Sequence, residues 1–170
     1  MLNLKINGLV IPNTAAHTIK QSYFPVGPQN LVRFMDGSSE MQTTYSKRGT
    51  KITGRGWVPA ALNNLPYDTE MIISCILPDA KADVSNVITL PPERRTDSGF
   101  EPVGFAVVDG DVVETPIALN GDVATLTVVP SATQYEAWFY PELMMRVFRP
   151  DVSLDASSPE YDWSLTAEES

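Results

Sequence analysis

Apolar and polar residues alternate in short stretches along most of the chain, and turn residues separate these stretches. Apolar residues recur at every second position in residues 2–6 and 161–166, a period typical of β-strands with one buried face, and Gly8 marks a turn or bulge before the apolar residues 9–11. Residues 70–77 are almost continuously apolar, which predicts the most buried strand. Asp-Gly and Asn-Gly turns within residues 103–129 predict two hairpins, and their spacing indicates an antiparallel meander.

The other predicted strands are equally short and are bounded by proline, glycine or asparagine. They cover residues 19–24, 30–35, 42–47, 50–53, 84–90, 135–140 and 143–148. One helical turn is predicted over residues 60–65, and the pattern contains no long amphipathic helix. Many short strands separated by turns predict a mainly β protein, an antiparallel β-sandwich or an open barrel with little helix.

The chain of 170 residues has the length of one domain, and we predict a single β domain over residues 1–166. Residues 78–100 contain three prolines and a charged stretch, which predicts a long extended loop or arm at the surface. The polar residues 150–160 predict a second loop. The acidic residues 167–170 are expected to fray, as chain ends do unless they are held in place.

Charge is unevenly distributed along the chain. Residues 1–60 carry seven Lys and Arg side chains against two acids, whereas residues 61–170 carry five against nineteen. The net charge of −9 argues against nucleic acid as the main partner, because phosphate contacts need clustered cations. The asymmetry has two interpretations: an ordinary solvated surface, or a polar subunit whose basic part contacts the acidic part of a neighbour.

Neither a membrane span nor a secretory signal is predicted. No apolar stretch approaches the roughly 18 residues that a membrane-spanning helix requires. The N-terminal residues lack a basic region followed by a long apolar block, so we expect no signal peptide. Cys75 is the single cysteine, which excludes an intrachain disulfide and fits synthesis in a reducing compartment.

Side chains suited to catalysis are scarce. His17 is the single histidine and stands in no recognisable motif, and Cys75 stands in an apolar run where a thiol packs as a small inert hydrophobe. Asp151 and Asp155 do not match the ligand spacing of a calcium loop. The segment 54–56 lacks the Lys and Ser/Thr of a phosphate loop, and its glycines instead predict backbone passing close to an aromatic ring. We therefore expect no enzyme activity, no cofactor and no metal site.

Aromatic residues have two interpretations, core packing and subunit contact. Alternation places Trp138 and Tyr140 on one face of their strand and Phe139 on the other, so both faces carry apolar area. Such a strand is either central in a sandwich or covered by a neighbouring subunit, where aromatic anchors dominate. The candidate interface residues are Lys47, Arg48, Lys51, Arg55, Trp57, Arg94, Arg95, Trp138, Tyr140 and Trp163.

Three segments also carry a family resemblance. Residues 31–38 read LVRFMDGS, residues 51–68 read KITGRGWVPAALNNLPYD, and YEAWFYP at 135–141 is followed by YDWSLTAEE at 161–169. In this order they are similar to the LRM-x-DG, ISGSGWIPPGLDGLDY and YYP…Y-x-WELEAEE segments of structural tail proteins from non-contractile-tailed bacteriophages. The chain departs from that pattern after Pro59, where two alanines replace Pro-Gly.

The resemblance implies a virion structural protein that is made in the host bacterial cytoplasm. It implies a structural role in or near the tail tip, and it carries over no catalytic residues. We expect self-assembly into a ring at or near the tail tip and contact with other tail proteins. A tail-tube subunit is the alternative within the same class. From another class, a receptor- or carbohydrate-binding β-sandwich would use exposed Trp57, Trp138 or Trp163 as stacking platforms.

Overall fold

The computed structural model describes residues 3–43 and 45–170 and is built from antiparallel β-strands. Strands contain 57% of the residues and helix 2%, which confirms the predicted mainly β class with little helix. One 3-10 turn, Leu62–Asn64, lies within the helical turn predicted over residues 60–65. Leu2 and Thr44, which belong to predicted strands, lie outside the described residues.

The chain divides into two compact units. The first unit comprises Ile73–Leu143 with the N-terminal residues through Lys5. The second unit comprises Ile6–Ile72 and Met144–Ser170. That the units together form the single domain predicted over residues 1–166 stays a prediction.

The strands are numbered in chain order. Those before residue 90 are β1 (Lys5–Ile6), β2 (Leu9–Val10), β3 (Thr18–Val26), β4 (Gln29–Arg33), β5 (Ser39–Thr43), β6 (Lys47–Gly56), β7 (Glu70–Ser74), β8 (Asp79–Asp83) and β9 (Val87–Thr89). Those after it are β10 (Val103–Val108), β11 (Asp111–Thr115), β12 (Ile117–Asn120), β13 (Val123–Leu126), β14 (Ala132–Phe139), β15 (Glu142–Val147), β16 (Asp151–Asp155) and β17 (Glu160–Glu169).

These strands form four sheets. An eight-stranded sheet has the order β2-β1-β7-β15-β17-β6-β3, and β16 pairs with β17 beside it. A four-stranded sheet has the order β11-β10-β14-β8, and a three-stranded sheet has the order β12-β13-β9. Strands β4 and β5 form a separate two-stranded sheet.

The first unit has a core shared by its four-stranded and three-stranded sheets. In β14, Tyr135, Ala137 and Phe139 are buried while the side chains between them are more exposed, which is the alternation expected of a strand with one inner face. The full cluster consists of Ile88, Leu90, Ala106, Ala124, Leu126, Tyr135, Ala137 and Phe139. Two sheets that close on one apolar layer are the arrangement of a β-sandwich.

The two predicted hairpins of residues 103–129 are confirmed. Strands β10 and β11 are antiparallel, as are β12 and β13, and the turn residues Asp109, Gly110 and Gly121 have positive φ. The predicted meander is wrong, because the two hairpins belong to different sheets. Strand β10 takes β14 as its second neighbour, a pairing that local turn signals do not specify.

Residues 78–100 do not form the predicted extended arm. Strand β8 pairs with β14 and β9 pairs with β13, so this segment contributes to both sheets of the first unit. Leu90, Arg94 and Arg95 are buried. The prolines and charges of this segment suggested a surface loop. The sequence pattern does not show that the guanidinium groups of Arg94 and Arg95 have partners in the interior.

The second unit is organised around β17. This strand has β6 along one edge and β15 and β16 along the other. It continues through Glu169, so the predicted fraying is wrong for residues 167–169. Ala167 is fully buried, and a carboxylate oxygen of Glu169 accepts a hydrogen bond from the backbone N–H of Arg48 at 2.7 Å. Strand β16 also replaces much of the loop predicted over residues 150–160.

Close contact between a strand backbone and an aromatic ring is confirmed at Gly54. Its cross-strand partner is Trp163, and a Cβ atom on Gly54 would overlap Cε2 and Cζ2 of that indole ring. The indole Nε1 donates a hydrogen bond to the carbonyl oxygen of Ala15 at 2.9 Å. The absence of a side chain at Gly54 therefore makes room for the largest aromatic residue of the second unit's core.

Candidate interaction surfaces

The turn of the β4–β5 hairpin, residues 29–43, is held by side-chain hydrogen bonds. The Asp36 carboxylate accepts hydrogen bonds from the hydroxyl and backbone N–H of Ser38, at 2.6 and 2.9 Å. These bonds hold the pKa of Asp36 below its ordinary value, because they favour the charged carboxylate. Gly37 has a φ of 84°, a conformation that favours glycine. The predicted Asp-Gly turn is therefore confirmed.

The same hairpin exposes an unusual amount of apolar side chain. Leu31 and Met41 are cross-strand partners and therefore share one face, and both are more than half exposed. Phe34 and Met35 lie at the turn, and Met35 is fully exposed. An isolated two-stranded hairpin is only marginally stable in water, and clustered exposed apolar groups commonly mark a contact surface.

This surface was not among the predicted interface residues. Residues 30–35 and 42–47 were predicted as ordinary strands, and the polar sequence of the second strand suggested plain solvent exposure. One signal was present: Leu31, Val32, Phe34 and Met35 do not alternate cleanly with polar residues. A strand with apolar groups on both faces needs cover on both faces, and one neighbouring sheet covers only one.

A second surface centres on Trp57, a residue that is 59% exposed. The His17 ring stacks parallel to it, with centroids 4.7 Å apart and an interplanar angle of 3°. Nε2 of His17 lies 3.6 Å from a carboxylate oxygen of Glu160, and Nη1 of Arg55 lies 3.6 Å from the other. Arg55 also makes a bidentate contact to Asp162, with distances of 2.7 and 2.9 Å. An aromatic platform thus adjoins a row of charged groups.

An open groove of about 490 Å³ lies on the outer face of β3, β6, β17 and β16. Arg55 and Asp162 line it, so the groove adjoins the charged row beside Trp57. Its other polar lining residues are Thr18, Lys20, Thr53, Asp151, Ser153 and Ser164. Lys20 and Arg55 balance Asp151 and Asp162 in charge, and Gly54, Val152 and Trp163 complete the lining.

The predicted interface residues fall into three classes of exposure. The exposed ones are Lys51, Arg55, Trp57 and Trp138, the half-buried ones are Lys47, Arg48 and Tyr140, and the buried ones are Arg94, Arg95 and Trp163. Trp138 packs against Phe105 with ring centroids 4.5 Å apart, and its Nε1 donates to Glu136. The prediction that Trp163 is a surface platform is wrong, because the second unit buries its ring.

Arg95 is a structural cation in the interior of the first unit. Its guanidinium makes a bidentate contact to Asp97, with distances of 2.9 and 2.7 Å, and donates to the backbone carbonyl oxygens of Asn3, Ser74 and Cys75. It also lies over the Phe100 ring, 3.1 Å from the centroid. The prediction of a surface contact for Arg95 is therefore wrong.

Arg94 is held in the same unit by different partners. Its Nη1 lies 2.7 Å from a carboxylate oxygen of Asp122, and its guanidinium also donates to the carbonyl oxygens of Pro91 and Gly121. The turn between β12 and β13 is thereby tied to the segment that follows β9. Arg94 was likewise predicted at the surface, and its burial corrects that prediction.

Cys75 is buried, as predicted for a small hydrophobe, and its thiol contacts the carbonyl oxygen of Ile73 at 3.7 Å. Among the described residues, no group of three or more His, Cys, Asp or Glu side chains is arranged to hold a metal ion. The side chain of Asp155, half of the Asp151–Asp155 pair, is outside the described part. Within residues 3–43 and 45–170, no helix has the length and apolar character of a membrane span.

No protein-family model matches the chain, and no curated protein matches its sequence.

Proposed function

We propose that the chain is a structural subunit of a bacteriophage tail, which assembles with copies of itself into a ring at or near the tail tip and contacts other tail proteins. The observation that carries self-assembly is the β4–β5 hairpin with its exposed apolar side chains. The three-segment resemblance supplies the tail context. A tail-tube subunit would use the same hairpin in the same way and is the alternative within this class.

The energetics of the hairpin favour a contact surface. Burying one Leu, Phe or Met side chain fully contributes about 1.5–3 kcal/mol. Leu31, Phe34, Met35 and Met41 are each about half exposed or more. A neighbouring subunit that covers them would also supply the packing that a two-stranded hairpin lacks. A contact made once by every subunit is repeated around a closed ring, so modest individual gains add up.

The triple variant Leu31→Ser, Met35→Ser and Met41→Ser should assemble poorly. Losing the burial of these three apolar side chains at the interface is expected to cost about 3 kcal/mol or more. This cost weakens subunit association at least about 100-fold. Light scattering after size-exclusion chromatography measures the change in mass, and negative-stain electron microscopy shows whether rings or stacks form.

A control variant removes exposed apolar side chains elsewhere. Val84, Val112 and Val128 are exposed and lie outside the hairpin, so their triple replacement by serine should leave assembly intact. A wild-type chain that stays monomeric at high concentration would refute the proposal. Equal loss of assembly in both triple variants would refute the role of the hairpin.

The surface around Trp57 favours a second candidate function, binding of a carbohydrate on the receptor or host surface. An exposed indole ring provides a stacking face for a sugar ring. Arg55, Glu160 and Asp162 provide hydrogen-bonding groups beside it, and the groove of β3, β6, β17 and β16 offers further hydroxyls.

Replacing Trp57 by alanine should reduce saccharide binding at least about tenfold if this second function operates, because one lost aromatic stacking contact is worth about 1.4 kcal/mol. Glycan-array binding followed by calorimetry measures the effect. Trp138→Ala is the matched control, since Trp138 is also partly exposed but packs against Phe105 in the first unit. Absence of binding to every glycan, or equal loss in both variants, would reject the carbohydrate function.

A further inference from the structure

At β16, part of the inner apolar face of the sheet in the second unit is not covered by that unit. Val152 is the cross-strand partner of Trp163, and Leu154 is the partner of Tyr161. Partners across antiparallel strands share a face, and Trp163 is only 3% exposed whereas Val152 and Leu154 are 49% and 55% exposed. The buried face of the sheet therefore continues one strand further than the residues that cover it.

Strand β16 is also an open sheet edge. Among the described residues, its strand pairing is with β17 alone. An open edge presents backbone N–H and C=O groups that a further strand can pair with. Strand β16 thus offers both an apolar strip and a row of hydrogen-bonding groups.

Another exposed edge, β11 of the first unit, lacks this combination. Val112 and Val113 are both exposed there. They are consecutive in the strand, so their side chains point to opposite faces and do not form one strip. The edge at β11 consequently serves as a comparison for the edge at β16.

The β4–β5 hairpin has the complementary features. Strands β4, β5 and β16 are each five residues long. On one hairpin face, Leu31 and Met41 form an apolar pair. A docked hairpin therefore has apolar groups for Val152 and Leu154.

We infer that the β4–β5 hairpin of one copy docks on β16 of a second copy, adding its strands to the sheet edge and covering Val152 and Leu154. This inference rests on the proposed self-assembly and names the surface that receives the hairpin. The donor and acceptor surfaces are different parts of the chain, so the contact is head-to-tail. Head-to-tail contacts generate a ring when the rotation closes and a filament when it does not.

Cross-linking of mixed single-cysteine variants tests the contact. Met41→Cys protein is mixed with Leu154→Cys protein that carries a mass tag, and the mixture is oxidised mildly before non-reducing electrophoresis. Disulfides form only where Cα atoms approach within about 7 Å, so the heterodimer should form at least about tenfold more than in the control mixture. Native Cys75 is buried, and wild-type protein under the same conditions measures its contribution.

The control mixture pairs Met41→Cys with Val112→Cys, because Val112 and Leu154 are almost equally exposed, at 54% and 55%. Equal heterodimer yields in the two mixtures, while wild-type rings or stacks persist, would overturn the docking inference and leave the proposed function standing. A wild-type chain that remains monomeric would overturn both.

Discussion

Replacing Arg95 by methionine is expected to lower the free energy of unfolding by about 3 kcal/mol or more, a large fraction of the total for a domain of this size. Methionine fills much of the volume but donates no hydrogen bond. The backbone carbonyl oxygens of Ser74 and Cys75 would lose a donor in the interior, and that of Asn3 would lose one at a half-buried position. Asp97 would lose its bidentate partner. Each unsatisfied buried acceptor costs about 1–3 kcal/mol.

Urea denaturation measures this loss, and two further variants define its cause. Arg95→Lys keeps the charge but lacks the planar fork, so it should recover only part of the stability. Arg146→Met removes an arginine whose side chain is 65% exposed and 4.0 Å from Glu70, so it should cost less than about 1 kcal/mol. Full stability in Arg95→Lys would contradict the argument from guanidinium geometry.

The ion pair between Arg95 and Asp97 makes the free energy of unfolding depend on pH. The Arg95 guanidinium, assisted by Lys5, holds the pKa of Asp97 well below its ordinary value. As the pH falls, the Asp97 carboxylate therefore takes up a proton at a higher pH in the unfolded chain than in the folded chain. The stabilisation is fully present above about pH 4, the ordinary Asp range, and is lost progressively as the pH falls below it. Asp97→Asn should remove this component, whereas Asp111→Asn, at an exposed acid, should leave it.

Replacing Gly54 by valine is expected to be the second most damaging single change. Even the Cβ atom would overlap the Trp163 ring, so either the indole or the backbone of β6 must move. Overpacking of a well-packed core costs about 1–3 kcal/mol and occasionally more. Displacement of the indole would also break the hydrogen bond from its Nε1 to Ala15. Gly54→Ala should show a smaller loss of the same origin.

A double-mutant cycle identifies the ring as the cause. Trp163→Leu removes the overlapping atoms, so Gly54→Ala should cost less in that background than in the wild type. The expected coupling exceeds about 0.5 kcal/mol, as for other residues in direct contact. Gly110→Ala serves as a comparison: its Cβ would meet open space, and the strain of its φ of 88° is the remaining cost. Additive effects at Gly54 and Trp163 would show that the ring is not responsible.

The elements that sequence predicted well are those set by neighbouring residues. Asp36-Gly37 and Asp109-Gly110 predicted tight turns, and both turns are present with glycine at positive φ. Cys75 was predicted as a buried hydrophobe from its apolar neighbours alone. In each case, the energy that decides the conformation comes from within a few residues of chain.

The parts that sequence predicted poorly depend on distant partners. Val152 and Leu154 alternate with polar residues, but the aspartates and serines around them suggested a loop, and only pairing with β17 makes the segment a strand. Arg95 was assigned to the surface because a charged residue rarely lies in the interior unless it is paired. Its partner Asp97 is only two residues away, but the carbonyl oxygens that complete the site include Asn3, 92 residues away along the chain.

The candidate surfaces were predicted only in part. Lys51, Arg55 and Trp57 are exposed in the second unit, so they remain available for contact. The apolar surface of the hairpin was missed because exposure of apolar groups is a tertiary property. A Leu or Met in a strand is interpreted as a core residue unless the absence of a covering sheet is known. Composition alone does not distinguish the two cases.

The placement of β17 between β6 and β15 has a consequence for the order of folding. Pairing of β6 with β17 joins residues that are more than 100 positions apart, such as Arg55 and Asp162, separated by 107. Closing so long a loop costs conformational entropy before any contact is made. Most of the intervening chain, Ile73–Leu143, belongs to the first unit, where hairpins form from adjacent strands. We expect these local hairpins to form early and to shorten the loop that β6 and β17 must close.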